Sequence, residues 1–509
     1  MDYAFTMTYQ KVHAHYRKLG HLNHVAAIVG WDEAVMMPEG GGDKRGEALA
    51  TLRVMMHDLG TNPALGEWLS TAAEEARAGK LDAWQSANVR EAQRQWQRET
   101  AVPSDLVEAA SVADSKSEQA WRKLRAQNDW KTYRPLLEEV VSLKRQVAQA
   151  IGAKLGLGPY DAMVDGYETG MRSADIDRVF GELKAFLPDY IARASEKTKA
   201  QSARKPVPPF PVEAQRKLGL ELMAATGFDM KHGRLDVSHH PFCGGVPSDV
   251  RITTRYDERD FQSAMMGVLH ETGHAKYEQG LPSAWIEQPV GQARSMAVHE
   301  SQSLLQEMQV CRSLEFFEFA EPLIRRAFPA SVQEDAGAFS AANLFALMTR
   351  VQPGFIRVDA DEVTYPGHVI LRYELEKALM EGTLSVADLP EAWDARMQAW
   401  FGLSTKDNYK DGCMQDVHWP SGAFGYFPSY TLGALLAAQL FAAAAREMPT
   451  LRRDIAQGSL TALNAWLGAR VWSKASSVGT DALVREATGE PLSAKYFRAH
   501  LDARYFAPV

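Results

Sequence analysis

Cysteine, positive charge and long apolar runs are all scarce in this sequence. Only Cys243, Cys311 and Cys413 occur in 509 residues, far apart and without a CxxC pair. That count argues against a disulfide framework and against a cysteine zinc site, and it points to a reducing, cytoplasmic compartment. Lys and Arg number 56 against 64 Asp and Glu, a net charge of −8. Without a basic excess, neither nucleic acid nor an anionic membrane surface is an expected partner. The first twenty residues show no apolar h-region, so no secretory signal is expected. The longest apolar run, "LGALLAAQLFAAAA" at 432–445, has 14 residues and contains Gln439. A membrane-spanning helix needs about 20 apolar residues. A fully buried core helix is the expectation instead.

Strand signals are scarce as well. Residues 63–155 are rich in Ala, Glu, Gln, Arg and Leu, and breakers at Gly79, 101–105, 127–129 and Gly152 divide them into helical hairpins. "KPVPPFPVE" at 205–213 holds four prolines and cannot continue a helix. It separates a mostly helical first part, 1–204, from a second part, 205–509, of what reads as a single domain. Only "GRLDVS" (233–238) and "DVRITTRY" (249–256) look like strands, and they suggest a small antiparallel sheet. The fold class is therefore mainly α.

What is present is a metal pattern. "VLHETGHAKYEQG" places His270 and His274 four residues apart, on one face of a helix, with Glu271 beside the first. Two such imidazoles can hold one Zn2+, and a neighbouring glutamate can act as a general base on water. Asp257 is the expected N-cap of this helix, with Glu258 and Asp260 in its first turn and Gly280 beyond its end. Its apolar stripe is Phe261, Ala264, Met265, Val268, Leu269 and Ala275, opposite the histidines. The histidine side carries Met266, Gly267, Gly273 and Tyr277 rather than charges, so both sides of the helix should be covered. A third ligand is required. Glu278, Glu287, Glu300 and Glu307 are available, and Glu300, 26 residues after His274, has the best placement at the start of the next helix. His299 points away from it and reads as a supporting or packing residue.

These residues sit in a longer series: "GWDEAVMMPEGG" (30–41), "HPF" (240–242), "DVRITTRY", "HETGH" (270–274), "HESQS" (299–303), "IRVDAD" (356–361), "GCMQDVHW" (412–419) and "GYFPSY" (425–430). In this order the series resembles the carboxypeptidase Taq family of zinc metallocarboxypeptidases. The resemblance spans nearly the whole chain and implies a helical zincin fold, with a deep central groove and a small sheet near the active site. It also implies a homodimer that removes C-terminal residues from peptides with broad specificity. Zn2+ is the implied cofactor, with Co2+ as a possible substitute. By the same resemblance His270, His274 and Glu300 are the ligands and Glu271 the base. Arg357 clamps the substrate carboxylate, and His418 and Tyr426 stabilise the oxyanion. Arg251 or Arg255 could share the clamp, or could be structural like Arg372, and Tyr430 competes with Tyr426. An oligoendopeptidase on the same scaffold, or a silent peptide-binding protein, are the rival readings.

Overall fold

The computed structural model describes residues 7–507. Its first part is a stack of helices whose breaks follow the breakers. Pro63–Arg77 packs on Ala83–Glu99, and Ser104–Ala126 on Trp130–Leu155. One break differs from expectation. The last of these helices runs through Gly152 and stops at Gly156, whose φ of +69° reverses the chain. A single glycine costs a helix only about 1 kcal/mol, whereas a left-handed residue ends it.

The proline-rich stretch is packed rather than free. Phe210 is buried, with its ring 4.9 Å from Phe261 and 5.1 Å from Phe328. One large hydrophobic core extends from Ala113 to Tyr505, across this stretch.

The sheet has three strands: β1 (Gly233–Val237), β2 (Phe242–Val246) and β3 (Asp249–Thr254), in the order β1-β3-β2. The two strands read from the sequence are neighbours but run parallel, with Leu235 opposite Ile252. The antiparallel partner of β3 is β2, with Cys243 opposite Ile252. β2 carries "FCGGV", too poor in β-branched residues to give a strand signal. Leu235, Val250 and Ile252 bury one face of the sheet against Val268 and Ala275 of the histidine-bearing helix.

The 432–445 run lies in the helix Pro428–Glu447, whose apolar window is 83% buried inside the fold. Its Gln439 side chain donates to Thr488 Oγ1 at 2.9 Å, so the one polar group in the run is satisfied.

Candidate active site

The helix Phe261–Gln279 carries His270, Glu271 and His274. Its N-cap is Asp260, which accepts from Gln262 N at 2.9 Å and Ser263 N at 3.3 Å. Asp257, the cap expected from sequence, lies one turn earlier and holds Arg259 instead. Both aspartates suit a cap, and the extended backbone at Asp260 (φ −149°) decides between them. The apolar stripe is buried, as are Met266, Gly273 and Tyr277, so the helix is covered on both sides.

The next helix, Met296–Leu304, begins at Ser295 and carries Glu300. Two glycines let it come close enough. A Cβ on Gly273 would lie 2.5 Å from Gln302 O, and one on Gly433 would lie 2.7 Å from Glu300 Cβ. The glutamate is thus gripped between the histidine helix and Pro428–Glu447. His270, His274 and Glu300 bring ligand atoms within 4.8 Å of one another, the one such group found among the described residues. Glu300 Oε2 stands 3.3 Å from His274 Nε2.

The donor set fits zinc. Two imidazoles and one carboxylate leave a fourth position open, as a hydrolytic site requires. Both Nδ1 atoms are already engaged, by Glu307 at 2.8 Å and by His299 at 2.6 Å, which leaves each Nε2 for a metal. Burial opposes a charge on His270, yet the Glu307 hydrogen bond with Glu300 and Glu271 nearby lifts its pKa to about 10. The pocket therefore attracts positive charge, which zinc would supply in place of that proton. Glu271 is buried and makes no hydrogen bond or salt bridge among the described residues, so its carboxylate is uncommitted.

The other carboxylates considered as ligands have different work. Glu307 holds His270, and Glu278 holds His299 at 2.7 Å. Glu287 pairs with His21 at the surface, away from the cluster.

A second cluster lies beside the first, with Tyr430 near both Glu300 and Arg357. Tyr430 lies one turn before Gly433 on the Pro428–Glu447 helix, and its pKa rises to about 12 through burial, opposed by Arg357 and helped by Glu300. Arg357 stacks on Tyr430, its guanidinium carbon 4.6 Å from the ring centre. Asp416 Oδ1 accepts from Arg357 Nε and Nη2, both at 3.0 Å, while Asp416 Oδ2 accepts from Arg372 Nε at 2.6 Å. Although burial opposes it, Arg372 and Arg357 hold the Asp416 carboxyl well below its usual range. His418 Nε2 lies 3.0 Å from the Tyr430 hydroxyl. Burial and then Arg357 pull the His418 pKa down to about 3, so the imidazole is neutral. Tyr426 packs beside Tyr430, with ring centres 5.2 Å apart.

Arg251 keeps other company. It pairs with Asp249 at 2.6 Å and lies over Trp31 of the "GWDEAVMMPEGG" segment. Arg255 is exposed, and Arg372 is the fully buried structural arginine. Asp416 was missed from sequence, although its place two residues before His418 in "GCMQDVHW" was in view. Its acidic type beside two buried arginines is the signal that mattered.

Residues 11–505 match the family described as carboxypeptidase Taq (M32) metallopeptidase. The chain belongs to this family. It is 40% identical to thermostable carboxypeptidase 1 of Thermus thermophilus over 98% of each chain, and 31% identical to carboxypeptidase 1 of Bacillus subtilis over 96% of each. Its fold superposes on Trypanosoma cruzi metallocarboxypeptidase 1 with a TM-score of 0.95 at 42% identity, covering 98% of this chain and 99% of the other. The fold is accordingly the mainly helical zincin fold, and the enzyme is a zinc-dependent metallocarboxypeptidase with His270, His274 and Glu300 as its metal cluster.

Proposed function

We propose that the enzyme trims peptides one residue at a time from a free C-terminus, with broad specificity, and that Arg357 is what limits it to free ends. The observation that carries this reading is a buried guanidinium beside the zinc-site cluster, held by Asp416 and Tyr430 and not by the zinc-site carboxylates. A planar, oriented fork suits a terminal carboxylate. An oligoendopeptidase would have no use for a fixed cation at that place.

Zinc, when bound, supplies Lewis acidity at the scissile carbonyl and acidifies a water. Glu271 takes the proton of the attacking water and returns it to the departing amine nitrogen. The hydroxyls of Tyr426 and Tyr430 donate to the developing oxyanion, and neutral His418 orients Tyr430 through its 3.0 Å contact. Arg251 braces the N-terminal segment through its stacking on Trp31. Co2+ would serve in place of zinc, since the donor set suits both. The three free cysteines suit a cytoplasmic enzyme, and the family resemblance favours a homodimer.

The test is digestion of a peptide and its amidated twin, with and without chelator. Stepwise loss of single C-terminal residues from the free acid alone, abolished by chelator, is expected. Internal cleavage of both peptides would replace this reading with the endopeptidase one.

A further inference from the structure

Two imidazoles that share a metal through Nε2 must each keep a proton on Nδ1. Only the partner of Nδ1 can enforce that tautomer. The two ligands here solve the problem differently.

His270 Nδ1 meets a carboxylate directly, Glu307 Oε2 at 2.8 Å, and Glu307 Oε1 accepts from Arg312 at 2.5 Å. Glu307 lies seven residues after Glu300. On a regular helix the two would point within about 20° of each other, and both would compete for the metal. The chain instead widens into a π-helical turn at Leu305–Cys311, directly after Met296–Leu304. Fewer degrees of rotation per residue in the wider turn swing Glu307 away from the direction of Glu300. Glu300 is then the one carboxylate that would hold the metal, and Glu307 sits behind His270.

His274 Nδ1 meets no carboxylate. It lies 2.6 Å from His299 Nδ1, and His299 Nε2 lies 2.7 Å from Glu278 Oε1. A carboxylate only accepts, so His299 Nε2 must carry its proton toward Glu278. With its proton held there, His299 presents a lone pair at Nδ1. His274 Nδ1 donates into it, and His274 Nε2 is left bare for zinc. Glu278 is on the same helix as His274, one turn on, and among the described residues makes no hydrogen bond to a ligand.

We propose that His299 is an imidazole relay through which Glu278 fixes the tautomer of His274, and that Glu307, displaced by the π-helical turn, does the same for His270. These three residues position the zinc ligands without being ligands, and they set the affinity of the site. The proposal rests on the zinc site itself.

The zinc dissociation constant, read by chelator competition, tests it, alongside the melting temperature of the metal-free protein. Glu278→Leu frees His299 to turn its proton toward His274, so two N–H groups would face each other. An affinity loss of about 10–100-fold is expected, with the metal-free melting temperature unchanged. His299→Leu should lose as much. His299→Asn should recover most of the affinity, because the amide oxygen can accept where Nδ1 did. In the His299→Asn background, Glu278→Leu should have no further effect. Glu307→Gln should weaken zinc through the other ligand, independently of these. If the parent protein bound no zinc, the metal site would be refuted. If the parent bound zinc and Glu278→Leu and His299→Leu bound it equally well, the relay alone would be overturned. His299→Asn as weak as His299→Leu would likewise show a packing role and no relay.

Discussion

At the zinc end the three ligands and the residues behind their imidazoles come from residues 270–307, two successive helices and a π-helical turn. At the other end Arg357, Arg372, Asp416, His418 and Tyr430 come from separate loops and helices spread over residues 357–430. The charges differ too. Glu271, Glu278, Glu300 and Glu307 surround the zinc end, which prepares it for a cation. Two arginines share one carboxylate at the clamp end, which leaves it an excess of positive charge for an anion. On the proposed reading, a peptide whose scissile bond lay at the first and whose terminal carboxylate reached the second would be cut one residue from its end.

Removing the zinc end should have the largest effect. Alanine at His270, His274 or Glu300 should abolish bound metal and turnover together, measured as zinc stoichiometry and peptide hydrolysis. Stoichiometric zinc in Glu300→Ala would move the third ligand to Glu307, the other carboxylate at hand. Glu271→Gln should separate binding from chemistry. Zinc should stay, and kcat should fall by about 10²–10⁴-fold, as loss of proton transfer requires. A zinc-loaded Glu271→Gln enzyme of normal rate would refute the base.

Breaking the clamp end should cost stability as well as recognition. Asp416→Asn leaves two buried arginines without their charged partner. Unfolding should register a loss of about 3–5 kcal/mol, and KM for free-acid peptides should rise while zinc affinity holds. A fall in zinc affinity would show that the two ends are not separate.

The smallest effect concerns the carboxyl that ties the ends together. Glu168 accepts from Ala297 N at 2.6 Å, at the start of the Glu300 helix, and from Ser429 Oγ at 2.7 Å, next to Tyr430. Burial raises its pKa from 4.5 to about 7, against the hydrogen bonds that lower it. Between those values the folded protein keeps a proton that the unfolded chain releases. Stability from this group therefore falls as pH rises through that window and levels off above it. Glu168→Gln keeps the accepting oxygen and should flatten that slope in melting temperature against pH. An unchanged slope would mean that another group carries it.

The same contrast explains what could be read from sequence. The zinc end obeys helix periodicity, so His270, Glu271 and His274 were visible as a pattern, and Glu300 as the first carboxylate on the next helix. Of its supports, His299 read as a supporting or packing residue, but Glu278 and Glu307 were visible only as competing ligands, because a regular helix gives Glu307 no reason to turn away from Glu300. The cap at Asp260 lay three residues from the one expected, since both positions offer an aspartate and only the backbone chooses. β2 was invisible because two glycines gave it neither side chains nor alternation. At the clamp end no spacing links residue 357 to 416. Arg357 entered through family resemblance alone, and Asp416 had no signal until the buried arginines were placed around it.

The measurement that bears most directly on the division of labour is kcat/KM for a matched free-acid and amidated peptide, on the parent enzyme and on zinc-loaded Arg357→Met. The parent should favour the free acid strongly. The variant should lose about 2–4 kcal/mol of transition-state binding for the acid and most of its discrimination, with little change for the amide. Arg357→Met that still prefers the free acid by the parent ratio would contradict the account and place the clamp on another residue.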